Sequence, residues 1–80
     1  MRVTAKLYGD LRRRLPKGEE SITLVLPVGA AVGDFGRAIG FEDGEVWKVS
    51  IDGQLVEEDH ALRDGDTVLF FPPIEGGSEP

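Results

Sequence analysis

An α+β domain, one main helix packed on one face of a mixed sheet of four to five strands, is the fold class this sequence predicts. Three observations lead there. Several runs of four to six residues alternate at a period of two, as in Val3-Thr4-Ala5-Lys6-Leu7. One stretch, Val32 to Ile39, places apolar residues at helical spacing. Eighty residues make one domain, and so small a core is closed by one helix layer on one sheet layer.

The elements follow in order. Val3, Ala5 and Leu7 alternate with Arg2, Thr4 and Lys6, a strand with one buried face. Gly9-Asp10 opens a short helical stretch with Asp10 as N-cap and Leu11 and Leu15 four apart. Pro16-Lys17-Gly18 ends it. Ile22, Leu24 and Leu26 mark a second strand, forming a hairpin with the first. After the loop from Pro27 to Ala31, Val32, Phe35, Ala38 and Ile39 define the apolar face of the main helix. Gly33 and Gly36 weaken that helix by about 1 kcal/mol each, so packing must hold it. Gly40 suits its C-terminal end. Trp47, Val49 and Ile51 alternate as a third strand, with Trp47 in the core. Asp52-Gly53 is a hairpin turn leading to a short return strand, Gln54 to Val56. Glu57 to Leu62 is polar and irregular. Arg63 to Asp66 turns into the last strand, Thr67 to Phe71, with Val68 and Phe70 on one face and Leu69 and Phe71 on the other. Pro72-Pro73 cannot donate ladder hydrogen bonds and stops the sheet. The order β, β, α, β, short β, β suits the β-grasp fold.

Composition narrows the function. The net charge of −6, from fifteen acids and nine bases, argues against nucleic acid, whose binding rests on phosphate neutralisation. It suits a basic protein partner or solubility alone. The basic run Arg12-Arg13-Arg14 reads as a solvated helix face. The absence of cysteine excludes disulfides, thiolate metal sites and a cysteine nucleophile. No apolar run reaches the roughly 18 residues of a membrane span. Met1 to Lys6 lacks the apolar block of a signal peptide. A cytoplasmic protein that meets neither membrane nor nucleic acid is expected.

The stretches KLYGDLRRRL, LPVGAAVGDF, VSIDGQLV and LRDGDTVLFFPP, followed by Gly76-Gly77, occur in an order that resembles the MoaD/ThiS family of ubiquitin-like sulfur carriers. The Phe-Pro-Pro run favours the MoaD type, the small subunit of molybdopterin synthase. The resemblance implies a β-grasp domain over residues 1–71 and a flexible tail over residues 72–80. It implies that the Gly77 carboxylate is adenylated by an E1-like enzyme and then becomes a thiocarboxylate. That group donates sulfur to an acceptor enzyme such as a molybdopterin synthase large subunit. Such a carrier has no catalytic residues and no cofactor of its own.

The tail chemistry accords with this. Glycine at positions 76 and 77 lets the backbone enter a narrow channel. Six residues beyond Phe71 reach about 20 Å when extended. Pro72 and Pro73 stiffen the tail's base. Yet Ser78-Glu79-Pro80 follow, and an internal Gly77 carries an amide that cannot be adenylated. Family precedent implies cleavage between Gly77 and Ser78 by a zinc metalloprotease of the JAMM class. Otherwise the three residues are a cloning remnant or neutral drift, and an untrimmed chain is a non-catalytic β-grasp binding or regulatory module. Residues 75–80 are expected to contact their own domain little.

Phe71, facing away from the core beside the tail, is a docking anchor in this reading. Leu69 either shares that role or packs under a loop. Ile74, the tail's large apolar side chain, completes the expected partner contact. His60 beside Glu57, Glu58 and Asp59 reads as a solvated loop, because consecutive residues cannot all converge on one ion. Asp34-Phe35-Gly36 matches a kinase triplet by chance in so short a chain. The glycines at 29, 33, 36 and 40 lack the spacing and the strand–turn–helix setting of a phosphate loop.

Overall fold

A computed structural model describes residues 1–73. Strand β1 (Arg2–Leu7) leads into a 3-10 helix (Gly9–Arg14), then β2 (Ser21–Val25), α1 (Val32–Ile39), β3 (Lys48–Ile51), β4 (Gln54–Val56) and β5 (Thr67–Phe71). The five strands form one sheet in the order β2-β1-β5-β3-β4. β1 and β5 run parallel at its centre, and the other neighbours are antiparallel. This is the expected mixed sheet with one helix, a β-grasp fold.

Register explains which residues are buried. Ala5 pairs with Ile22 on one side and Val68 on the other, and Leu7 and Val49 both flank Phe70. These residues line the helix side of the sheet, where Val3, Ala5, Leu7, Val68 and Phe70 are all but inaccessible. Phe35 of α1 meets Phe70 edge-on at 5.8 Å, and Phe41 leans on the same ring at 5.3 Å. Leu11 and Leu15 of the 3-10 segment close one end of the core, and Leu26, Ala30 and Leu62 belong to the same cluster.

Helix α1 is eight residues long. Asp34 Oδ2 accepts the Ala31 amide at 2.8 Å and its Oδ1 accepts Arg37 Nη2 at 2.7 Å. The Ala31 bond first, and the Arg37 bond second, hold the Asp34 carboxyl below its ordinary pKa. Gly40 ends the helix at φ 107°, a left-handed conformation that glycine adopts without strain.

Three expectations are corrected. Ala38 is exposed, while Gly36 is buried. Positions 32, 35, 36 and 39 form the face turned to the sheet, and Gly36 faces Phe41 and Phe70. Trp47 is 55% exposed, and β3 begins after it. Its amide still donates to Phe71 O at 2.8 Å, but the short helix does not extend far enough to cover the ring. The indole instead lines an open groove of about 430 Å³ with Gly36, Phe41 and Val56. Asp10 lies inside the 3-10 helix and caps nothing. Tyr8 occupies the capping position, without a side-chain bond.

Candidate functional site: the root of the tail and the open sheet face

The side of the sheet opposite α1 carries no covering layer among the described residues. Register lines up Lys6, Leu69, Ser50 and Leu55 across β1, β5, β3 and β4, and places Lys48 beside Phe71. Leu69 and Phe71 are half-buried, and Leu55 is 65% exposed. Tyr8 continues the outward parity of Arg2, Thr4 and Lys6. Its ring lies flat against Phe71, with centroids 4.9 Å apart and planes 9° from parallel. The result is an apolar strip of Tyr8, Phe71, Leu69 and Leu55, flanked by two lysines. Phe71 and Leu69 thus face as the alternation predicts. The overall negative charge does not describe the strip's surroundings, because Lys6 and Lys48 lie beside it.

The end of β5 is held from both sides. The Tyr8 amide donates to Phe70 O at 3.3 Å, and the Trp47 amide donates to Phe71 O at 2.8 Å. Pro72, which has no amide hydrogen to continue the ladder, lies against Gly9. A Cβ on Gly9 would stand 2.9 Å from Pro72 Cγ, inside contact distance. Gly9 also sits at φ 57°, the left-handed region that side chains disfavour.

Below this point the arginine run has a defined task. Arg14 grips Glu45 through Nε at 3.0 Å and Nη2 at 2.7 Å, and Arg13 Nη2 reaches the same carboxylate at 3.2 Å. Arg12 Nε donates to Leu7 O at 3.2 Å. The run is therefore more than a solvated face, because it ties the 3-10 segment to the loop before β3. The Arg14 hydrogen bond, the largest influence, pulls the Glu45 carboxyl below its ordinary value. The same pair raises Arg14. Asp10, Leu11, Arg13 and Glu45 border a shallow depression in which Pro72 and Pro73 form the remaining wall.

Of the residues gathered at this place, the sequence alone pointed to Phe71, Leu69, Pro72 and Pro73. It did not point to Tyr8, Gly9, Leu55 or the Glu45 clamp. Tyr8 was legible in principle, since extending the alternation of β1 by one residue puts it on the open face. The Gly9–Pro72 contact spans 63 positions and left no local signal. Ile74, Gly76, Gly77 and the Gly77–Ser78 bond lie outside the described residues, as does the expectation for residues 75–80. His60 is exposed in a turn closed by its amide on Glu57 O. Among the described residues no three histidine, aspartate or glutamate side chains gather around a common point. Among the same residues, no helix is long and apolar enough to cross a membrane.

A parallel β1–β5 pair at the centre, one helix on one face and a free strip ending at a proline-marked exit define a ubiquitin-like β-grasp domain. The chain belongs to the ThiS family, whose model matches residues 5–77. The molybdopterin synthase sulfur carrier subunit of Escherichia coli strain K12 is 48% identical to it over 40 residues. That stretch covers 50% of this chain and 48% of that protein, so the chain spans about half the length of the curated relative it matches. The crystal structure of SAMP1 from Haloferax volcanii matches with a TM-score of 0.76 and 25% identity, covering 96% of this chain and all of that one. A putative molybdopterin converting factor subunit 1 from Pyrococcus furiosus matches with a TM-score of 0.72 and 29% identity, covering 91% and 98%.

Proposed function

We propose that this chain is a sulfur carrier whose working group is the Gly77 carboxylate, freed by removal of Ser78-Glu79-Pro80. Residues 1–71 are the folded platform and residues 72–80 the tail. The observation that carries the reading is family membership over residues 5–77, a match that reaches the second glycine and leaves the last three residues outside it. The geometry at the tail root supports it. The last strand is anchored up to Phe71 O, and the chain then leaves the sheet through two prolines beside an uncovered apolar strip.

The chemistry follows from the end group. A free α-carboxyl has a pKa near 3.5 and is anionic at neutral pH. One carboxylate oxygen attacks the α-phosphorus of ATP, and pyrophosphate leaves. Hydrosulfide, or a persulfide whose acyl disulfide product is then reduced by a thiol, attacks the acyl carbon of the adenylate, and AMP departs with its oxygen. The resulting thiocarboxylate donates sulfur to an acceptor enzyme, for which the large subunit of a molybdopterin synthase is the first candidate. An E1-like enzyme supplies the adenylation site and a JAMM-class metalloprotease the cleavage after Gly77. The strip of Tyr8, Phe71, Leu69 and Leu55 docks these partners, with Ile74 extending the contact along the tail. Apolar anchors of this kind concentrate binding energy.

ATP–pyrophosphate exchange with a cognate activating enzyme tests the reading. The chain ending at Gly77 is expected to support exchange and the full-length chain is not. Equal exchange by both forms would remove the pro-segment from the proposal. Inactivity of both, with retained binding to a partner, would favour a regulatory module.

A further inference from the structure

The exit of the tail is shaped by a residue that the carrier chemistry does not itself require. Gly9 opens the 3-10 segment at φ 57°. It is the described glycine whose added Cβ would come closest to another atom, 2.9 Å from Pro72 Cγ. At Gly18, Gly29, Gly44, Gly53 and Gly65 an added Cβ would meet nothing within 4 Å. Those five also have positive φ, so their glycines answer a backbone need alone. Gly9 answers two needs, the backbone conformation and the close approach of the proline ring.

The surroundings make that approach directional. Tyr8, the neighbour of Gly9, holds β5 by its amide on Phe70 O and by its ring on Phe71. On the other side, the Trp47 amide holds Phe71 O. The Phe70–Phe71 peptide is held by Tyr8 and the Phe71–Pro72 peptide by Trp47. Proline fixes its own φ near −65°, and the Trp47 bond orients the Phe71 carbonyl. In that orientation the Pro72 ring falls where a Cβ on Gly9 would stand, so the ψ of Phe71 keeps its value only while position 9 is open.

We propose that Gly9 is a positioning residue: it forms the seat for Pro72 and thereby sets the direction in which the tail leaves the sheet. This deepens the carrier reading and rests on it for its consequence in activation. A tail that must thread a narrow channel while the strip of Tyr8 and Phe71 is docked needs a fixed angle between the two. A misplacement of about 1 Å at a reacting group can cost a hundredfold in rate.

The test is a double-mutant cycle on the chain ending at Gly77, which retains the whole described domain. Asparagine tolerates the left-handed region better than most side chains and still carries a Cβ, so Gly9→Asn brings in the collision at reduced backbone strain, and the second background separates the two. Pro72→Ala removes Cγ. Gly9→Asn is expected to lower kcat/KM for exchange on the order of tenfold or more, and to melt below the parent because a side chain at φ 57° is strained. In a chain that also carries Pro72→Ala, the same change is expected to leave kcat/KM unchanged. An undiminished kcat/KM for Gly9→Asn overturns the proposal, as does an equal loss in both backgrounds. Should Gly9→Asn fail to fold, Pro72→Ala is compared with Pro73→Ala, which removes a tail proline but not the ring beside Gly9. A larger loss for Pro72→Ala supports the seat, and an equal loss, or none, overturns it. The seat is also read without any activity, in the full-length chain, as a nuclear Overhauser contact between the Gly9 α-protons and the Pro72 ring. If that contact is present and the parent chain is never adenylated, the carrier reading fails while the seat stands. If the contact is absent, the seat fails whatever the exchange assay shows.

Discussion

Strand β5 serves two masters on its two faces, and the contrast between them organises the molecule. Val68 and Phe70 turn toward α1 and are 0% and 1% exposed. Leu69 and Phe71, one residue along in each case, turn to the uncovered face and keep part of their surface. Phe70 is enclosed by Phe35 and Phe41, whereas Phe71 has Tyr8 along one side of its ring. A strand's period of two thus lets five residues close a core and present an uncovered apolar strip, the proposed docking surface, at once. Neither role constrains the other's side chains, so stability and partner binding should separate under mutation.

The largest expected effect is on the core side. Phe70→Ala should cost about 3–5 kcal/mol, the usual range for a buried phenylalanine. That is a large fraction of the stability of so small a domain. Denaturant unfolding measures it, and a loss below about 1 kcal/mol would mean that the ring is not the centre of the core. Val68→Ala should follow with about 1–3 kcal/mol, by the same cavity argument.

On the helix, the sign reverses. An alanine Cβ at Gly36 would lie 3.7 Å from Phe41 and 3.9 Å from Phe70, ordinary contact distances. Gly36→Ala should therefore stabilise by up to about 1 kcal/mol, the helix-propensity difference. Gly33→Ala should gain less or nothing, because its Cβ would press on the Glu58 carbonyl at 3.3 Å. Thermal melting of the two variants compares them directly, and an equal gain from both would show that the Glu58 backbone yields freely.

The Glu45 clamp adds a smaller, pH-dependent contribution. Its carboxyl titrates below the ordinary 4.5 in the folded state. A depressed carboxyl contributes stability that is complete above the unfolded value. It fades as the pH falls through the folded one. Stability should decline below about pH 4.5, and Glu45→Gln should flatten part of that decline. An acid-unfolding profile unchanged by the substitution would assign the decline to other carboxylates.

Phe71→Ala should cost less than Phe70→Ala, about 1–3 kcal/mol, because it loses a half-buried ring and its stacking on Tyr8 but leaves no enclosed cavity. Partner binding should nevertheless fall clearly, read by calorimetric titration with the activating enzyme. Unfolding by Phe71→Ala would erase the separation between the two faces.

The mixed sheet of four to five strands, its main helix and the short helical stretch after β1 were legible in the sequence, because hydrophobic periodicity reports which face of an element is apolar. The sequence likewise determined the outward facing of Leu69 and Phe71, the Asp52-Gly53 hairpin and the end of the sheet at Pro72. Each of these follows from alternation or from backbone chemistry within a few residues. It could not say how far the core extends. Trp47 has the parity of Val49 and Ile51, yet only the length and position of α1 decide that the core stops before its ring. The choice between Gly36 and Ala38 on the helix face was settled the same way, by where Phe41 and Phe70 arrive. The site divides along the same line. Phe71 and the prolines are written in one local stretch. The stacking of Tyr8, the seat of Pro72 on Gly9 and the grip of Arg13 and Arg14 on Glu45 join residues 31 to 63 positions apart. Local pattern has no term for such distances. The parallel pairing of β1 with β5 brings Tyr8 and Gly9 to Phe71 and Pro72, and the pairing of β3 with β5 brings Glu45 to the arginines.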